Sequence, residues 1–297
     1  MIKQQQEFLT VHELAELLRI KERKVYALVA NGEIACNKAM GKLLFPRASV
    51  EAWLARHHTG TPLAAPRHER PCVFAGSHDP LLDWALRESR SGIASFFDGS
   101  MDGLQRLSKG EAIAGGIHLL DAKSRQWNRP HVEQIVGGEP IVLLEWGWRQ
   151  RGLVVAAGNP HRIEKLSDLA SLRIVPRQTE AGSQMLFELL LNEQALDPEE
   201  LQFIAPAART ETDLAIAIAD DKADAGFGLA SLAAQFKLDF VAVIKERYDI
   251  VVYRRDYFEE PFQCFMQFCR SPNFTAKAKD LGGYDLQGFG TVHFNGP

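Results

Sequence analysis

The sequence predicts a mixed α/β chain in which a small head of two helices and a β-hairpin precedes a larger α/β domain of two lobes. Three observations carry this reading. Two short amphipathic patterns with a tight connection lie between residues 10 and 32, a polar stretch with two prolines and a glycine runs from His57 to Arg67, and from Cys72 onward short apolar runs alternate with longer helical patterns. The 297 residues suffice for separate cores in head and body. The expected division is a head over 1–57, a linker over 58–71 and a two-lobed domain over 72–297.

Charge is uneven along the chain. Residues 1–60 hold nine Lys/Arg against six Asp/Glu, whereas the remainder holds 25 against 32. Local positive charge is what neutralises phosphates, so only the head is a candidate for an anionic polymer. No run approaches the roughly 20 apolar residues that span a bilayer, and no membrane partner is expected. Met1–Glu7 has neither an apolar core nor a small-residue cleavage site, so the chain is expected in the cytoplasm. The four cysteines, Cys36, Cys72, Cys264 and Cys269, fit no zinc spacing and read as thiols.

In the head, Thr10 with Glu13 three residues on forms a capping box, and Leu9 is placed to staple onto Leu14. Leu14, Leu17 and Leu18 give the first helix its apolar face. After Arg19-Ile20-Lys21, a second helix carries Val25, Leu28 and Val29 on one face and stops at Asn31-Gly32. Two helices so joined make a helix-turn-helix. The opposite face of the second helix carries Arg23, Lys24, Tyr26 and Ala27, a mixture suited to phosphates and base edges. Ile34-Ala35-Cys36 and Leu43-Leu44-Phe45 then read as strands of a hairpin with a basic tip, a wing. Lys21, Arg23, Lys24, Tyr26, Lys38 and Lys42 are the candidate DNA contacts, with double-stranded DNA as the partner. Across about residues 8–56 the blocks around Leu9–Leu18, Val25–Ile34 and Val50–Leu54 resemble the excisionase-type (MerR-like) helix-turn-helix family. Arg19 and Lys21 stand where that pattern has glycine and serine.

In the larger domain, Cys72–Ala75 is an apolar run opening onto Gly76-Ser77-His78-Asp79-Pro80 and a helix through Leu82, Ala85 and Leu86. Ile93–Phe97 opens in the same way onto Asp98-Gly99-Ser100-Met101 and a helix through Leu104 and Leu107. Ala114–Ile117 ends at His118. Two separate strands are expected at Ile141–Leu144 and Gly152–Ala157, and Trp146 and Trp148 are expected to pack on one strand face. Leu172–Val175 leads to the polar loop Arg177–Ser183 and a helix. Ala223–Gly228 and Arg247–Val252 complete the second lobe. Loops at strand ends that enter helices offer free backbone N–H groups, which suits an anion. A serine there is also an ordinary N-cap, and both roles stay open for Ser77 and Ser100. Asp79 and Asp249 would repel an anion and are expected to cap helices or orient donors.

The marks Gly76–Asp79, Gly116–Asp121, Gly158-Asn159-Pro160, Arg177-Gln178 with Gly182-Ser183, Asp224–Gly226 and Glu246–Asp249 resemble the type II periplasmic-binding-protein fold. Within it they resemble the molybdate-binding-protein-like sensor domains found behind bacterial helix-turn-helix modules. The resemblance implies a small oxyanion, molybdate- or tungstate-like, or a small carboxylate, held between the lobes. It places Ser77 and Ser100 on the ligand from one lobe and Thr179, Ser183 and Tyr248 from the other. His118 and Arg177 are added as donors. The function expected is a ligand-responsive transcriptional regulator, a homo-oligomer (dimer or tetramer) because paired half-sites need paired readers. The alternative is an excisionase-like architectural protein without ligand sensing. No nucleophile elbow, P-loop, GxGxxG or HExxH is present, so no catalysis, metal or cofactor is expected.

Overall fold

The structure is a computed structural model that describes residues 8–39, 41–56 and 70–297. The chain divides into two compact units, the second beginning at Arg70. The linker expected over 58–71 lies almost wholly outside the described residues.

The head consists of β1 (Phe8–Thr10), α1 (Val11–Leu18), α2 (Glu22–Ala30), β2 (Asn37–Ala39), β3 (Lys42–Pro46) and α3 (Arg47–Arg56). Thr10 caps α1 in a complete capping box with Glu13. The connection to α2 forms despite the missing glycine: Arg19 takes the left-handed conformation, φ 53°, and Lys21 caps α2 without a side-chain hydrogen bond. An L residue in that conformation costs roughly 1–2 kcal/mol. Leu14, Val25, Leu28, Phe45 and Val50 close the core. The hairpin differs from expectation in one arm. Ile34 is buried in that core, and the strand begins only at Asn37, which pairs with Leu44 of β3.

The larger unit continues with β4 (Val73–Gly76), α4 (Pro80–Glu88), β5 (Ala94–Phe97), α5 (Ser100–Ser108), β6 (Ala114–Ile117), α6 (Arg129–Val136), β7 (Ile141–Val155) and β8 (Arg173–Val175). Then come α7 (Gly182–Glu193), β9 (Gln202–Phe203), α8 (Glu211–Ala219), β10 (Ala225–Leu229), α9 (Ala230–Gln235) and β11 (Asp239–Tyr253). The chain ends in α10 (Arg254–Tyr257), α11 (Glu260–Cys269), α12 (Pro272–Leu281), β12 (Tyr284–Asp285) and β13 (Val292–Asn295). Its sheet runs β5-β4-β6-β11-β7-β10-β8-β9, with β12 and β13 added to β7. β4, β5 and β6 are mutually parallel at one end, and β8, β9 and β10 at the other. Between them β7 and β11 pair antiparallel over their whole length and belong to both lobes.

The two strands expected at 141–144 and 152–157 are therefore one. The polar letters between them, Glu145 to Arg151, interrupt the apolar pattern without interrupting the backbone, because the buried charges among them find partners. A bulge opposite Tyr248–Asp249 leaves Trp146 as the extra residue on β7. A bulge resets side-chain alternation, and the two tryptophans pack in different places. Trp148 meets Trp127 edge-on. Trp146 is fully buried, stacked on Phe265 at 5.8 Å and edge-on to Phe274 and Phe289 at 5.1 and 5.7 Å.

Trp146→Ala removes the centre of that aromatic group. It is expected to cost about 3–5 kcal/mol, as for other buried aromatic truncations. Urea unfolding should show a lower midpoint with an unchanged slope, and an unchanged midpoint contradicts this packing account.

Candidate functional site

The parallel strands of the first lobe deliver three loops to one point. β4 ends at Gly76, whose φ of +103° and approach to β6 exclude a side chain, since an added Cβ would lie 2.2 Å from the Gly116 carbonyl oxygen. Ser77 N–H then donates to Gly116 O at 2.8 Å, and Gly76 O accepts from Asp98 N and Gly99 N, each at 3.1 Å. With the loops stitched together, Ser77 Oγ and Ser100 Oγ share a hydrogen bond of 2.9 Å, and His118 N–H donates to Ser100 Oγ at 3.1 Å. Neither serine is an N-cap. Asp79 caps α4 through Leu82 N–H at 2.8 Å, and Gly99 occupies the cap of α5.

The second lobe meets this cluster through the start of α7. An added Cβ on Gly182 would stand 2.7 Å from His118 O and 2.9 Å from Ser100 Oγ. The starts of α5 and α7 thus come together from opposite lobes, and a helix start carries the positive end of the helix dipole. Ser183, in the first turn of α7, is buried, and its Oγ has no hydrogen-bond partner. An ion pair from Arg209 to Asp98, 3.1 Å, also spans the lobes.

The floor is a chain of buried charges on the two crossing strands. Arg149 pairs with Asp79 at 2.9 Å and with Glu246 at 2.5 Å. Arg151 pairs with Glu246 at 2.8 Å and with Glu211 at 2.9 Å, and Arg177 pairs with Glu211 at 3.0 Å. His118 Nδ1 lies 3.0 Å from Glu246 Oε2. Burial alone would raise the Glu246 carboxyl, but Arg149, Arg151 and His118 outweigh it and hold it well below the usual carboxylate range. Burial, with Arg149 and Arg151 nearby, pushes His118 below the ordinary histidine value despite Glu246. His118 is therefore neutral, with its proton on Nδ1 facing Glu246.

The structure brings together Ser77, Ser100, His118 and Ser183 and gives the other expected ligand contacts different surroundings. Tyr248 is fully buried, its hydroxyl donating to Ser77 O at 2.5 Å, with the Arg149 guanidinium 4.3 Å above its ring. That hydroxyl supports the Ser77 loop from below, which corrects the direct contact expected of it. Arg177 spends its donors on Ala208 O, Arg209 O and Glu211, and Thr179 is exposed. The residues missed are Asp79 as a charge partner, Arg149, Arg151, Glu211 and Glu246. Arg149 and Arg151, two apart inside an apolar pattern, were the available signal. In the head, Lys21, Arg23, Lys24, Lys38 and Lys42 are exposed, and Tyr26 is 53% exposed on α2. Among the described residues no group of three or more His, Cys, Asp or Glu is placed to hold a metal, and no helix is long and apolar enough to cross a membrane.

Residues 84–270 match the model of the PBP superfamily domain, and residues 8–58 match that of a helix-turn-helix domain. The chain is 26% identical over 299 residues to the uncharacterized protein YvgK of Bacillus subtilis (strain 168), covering 95% of this chain and 96% of that one. An uncharacterized Clostridium pasteurianum protein, from the 5' region of a 2Fe-2S ferredoxin gene, is 30% identical over 98 residues, 33% of this chain and 87% of that protein. Among solved structures, a Clostridium perfringens ABC-transporter substrate-binding protein crystallised with phosphate superposes with a TM-score of 0.52 at 12% identity, covering 71% of this chain and 97% of that one.

The unfolded chain takes up a proton at His118 near pH 6.5 and at Glu246 near pH 4.5, whereas the fold opposes both. The stability they contribute is present above about pH 6.5 and is lost as the pH falls through each lowered value. His118→Gln is expected to flatten the fall in melting temperature between about pH 7 and 5.5, the remaining slope coming from His78 and His131, which burial also lowers. Identical slopes in the two proteins would remove His118 from this linkage.

Proposed function

The chain belongs to the PBP superfamily, and from that premise we propose that it is a bacterial transcriptional regulator whose helix-turn-helix head binds double-stranded DNA and whose two-lobed domain binds a small oxyanion. The observation that carries the receptor half is the meeting of the α5 and α7 N-termini from opposite lobes around Ser77, Ser100 and Ser183. A small anion there would accept hydrogen bonds from both lobes at once, so it favours the arrangement in which the lobes touch. Such a ligand changes DNA binding only if its affinity differs between the states that do and do not bind DNA.

The exposed Lys21, Arg23, Lys24 and Tyr26 around the start of α2, with Lys38 and Lys42 on the wing, support the DNA half. A head of this size reaches few bases, so the regulator acts as a homo-oligomer on paired half-sites. It works in the cytoplasm, where DNA is its partner, and has no catalytic role.

Fluorescence anisotropy on DNA selected from genomic fragments tests both halves. Arg23→Ala with Lys24→Ala is expected to weaken binding across all sequences and to reduce the salt slope by about 1 for each phosphate no longer neutralised. Phosphate, sulfate, molybdate, tungstate or a small carboxylate should shift the DNA affinity of the full chain by about 5–150-fold. DNA affinity untouched by every anion would leave an architectural DNA-binding protein.

A further inference from the structure

Resting on the homo-oligomer reading above, we propose that two copies of the chain pair through β5, antiparallel about a two-fold axis at Phe96, so that their sheets join edge to edge. Among the described strands β5 ends the sheet path and pairs with β4 alone. A strand so placed keeps a row of unpaired N–H and C=O groups, and natural sheets blunt such edges with short length, charge, proline or bulges. At the opposite end of the path β9 is two residues long, follows Glu199 and Glu200 and is followed by Pro206. No such guard protects β5. Residues 91–97 contain neither a charged residue nor a proline, and Ala94, Ser95 and Phe96 are exposed.

The backbone register fixes what this edge offers. Ala94 N–H donates to Cys72 O at 3.0 Å and Asp98 N–H to Gly76 O at 3.1 Å, both toward β4. Backbone direction alternates along a strand, so Ser95 and Phe97 turn their N–H and C=O outward. In an antiparallel pair centred on Phe96, Ser95 faces Phe97 of the second copy, and the two exchange both hydrogen bonds. The two-fold axis repeats that exchange on its other side. The edge is therefore its own complement, the property an isologous interface needs.

The side chains agree with this register. Phe96 meets Phe96 of the second copy at the non-hydrogen-bonded position, where Cα atoms stand about 4.5 Å apart and aromatic pairs stabilise a sheet. The ring is 44% exposed, with the Arg106 guanidinium 3.9 Å over its centroid and that charge matched by Asp102 at 2.7 Å. Asp98 falls opposite Ala94, so like charges do not meet along the strands. Phe97 packs edge-on to Phe74 and His78, which fixes the strand before any pairing. Two strands of four residues bury less than the roughly 1,200 Å² of a stable interface. The pair is accordingly weak in the free protein and forms fully when DNA brings two chains together.

Disulfide trapping of the full chain tests the register. Phe96→Cys places two thiols at the axis, within the Cα spacing that a disulfide accepts. Under mild oxidation this variant is expected to give covalent dimer at least about tenfold faster than Phe258→Cys, although Phe258, at the end of α10, is more exposed at 72%. The unaltered chain, with its four cysteines, sets the background. Adding Ser95→Pro should abolish the difference, because proline lacks the outward N–H yet leaves the bonds that residues 94 and 98 make to β4. Should that variant fail to fold, Phe96→Lys serves in sedimentation equilibrium, where two ammonium groups set opposite one another are expected to raise the dimer dissociation constant at least about tenfold. Equal trapping at residues 96 and 258, or an oligomer unchanged by Phe96→Lys, overturns this interface and leaves the homo-oligomer reading intact. A chain that stays monomeric at every concentration and on DNA with paired half-sites removes that reading and this inference with it.

Discussion

The two-lobed unit depends on one buried chain of ion pairs, running from Asp79 through Arg149, Glu246, Arg151 and Glu211 to Arg177. Each of these charges would cost several kcal/mol if buried alone, so every member constrains where its neighbours stand. Asp79 caps a helix of the first lobe, Glu211 opens a helix of the second, and Arg149, Arg151 and Glu246 lie on the two strands that cross between lobes. Apolar residues of equal volume would serve stability as well. What the charges add is position, because an ion pair specifies both partners' directions and an apolar contact does not.

That positioning decides what the cleft offers a ligand. Three guanidinium groups face three carboxylates and a neutral imidazole, so the floor contributes little net charge. What the cleft presents beyond this floor is the two helix ends and the serine hydroxyls, groups that act over a few ångströms. Selectivity in such a site follows the pattern of donors and acceptors rather than the sum of charges. The Tyr248 hydroxyl under Ser77 O and the capping of α4 by Asp79 hold the Ser77 loop in place, so that Ser77 Oγ meets Ser100 Oγ instead of capping the helix.

Much of this is legible in the sequence wherever local chemistry decides structure. The Thr10–Glu13 box starts α1 at the expected residue, and Ala114–Ile117 is a strand over its expected length. The loops carrying Ser77, Ser100 and Ser183 meet as expected because strand ends in an open α/β sheet share one side. What escapes reading is set at a distance. Glu145 to Arg151 looks like a break because polar letters in a strand signal solvent, yet Arg149 and Arg151 are covered and paired with residues 70 and 97 positions away in the case of Arg149. Family resemblance puts Tyr248 on the ligand and residue type puts Arg177 there, but their hydrogen bonds go to Ser77 O, Ala208 O and Arg209 O, partners that no local spacing reveals.

Gly182 sets how closely the two lobes approach one another. Its missing side chain lets α7 come against Ser100 and His118 at a separation where even a Cβ would collide. Where a Cβ does not fit, the lobes touch directly, and their contact at this point depends on a residue without a side chain. Any larger residue at position 182 would push the start of α7 away from Ser100 and His118 and pull apart the loops that the two lobes bring together there.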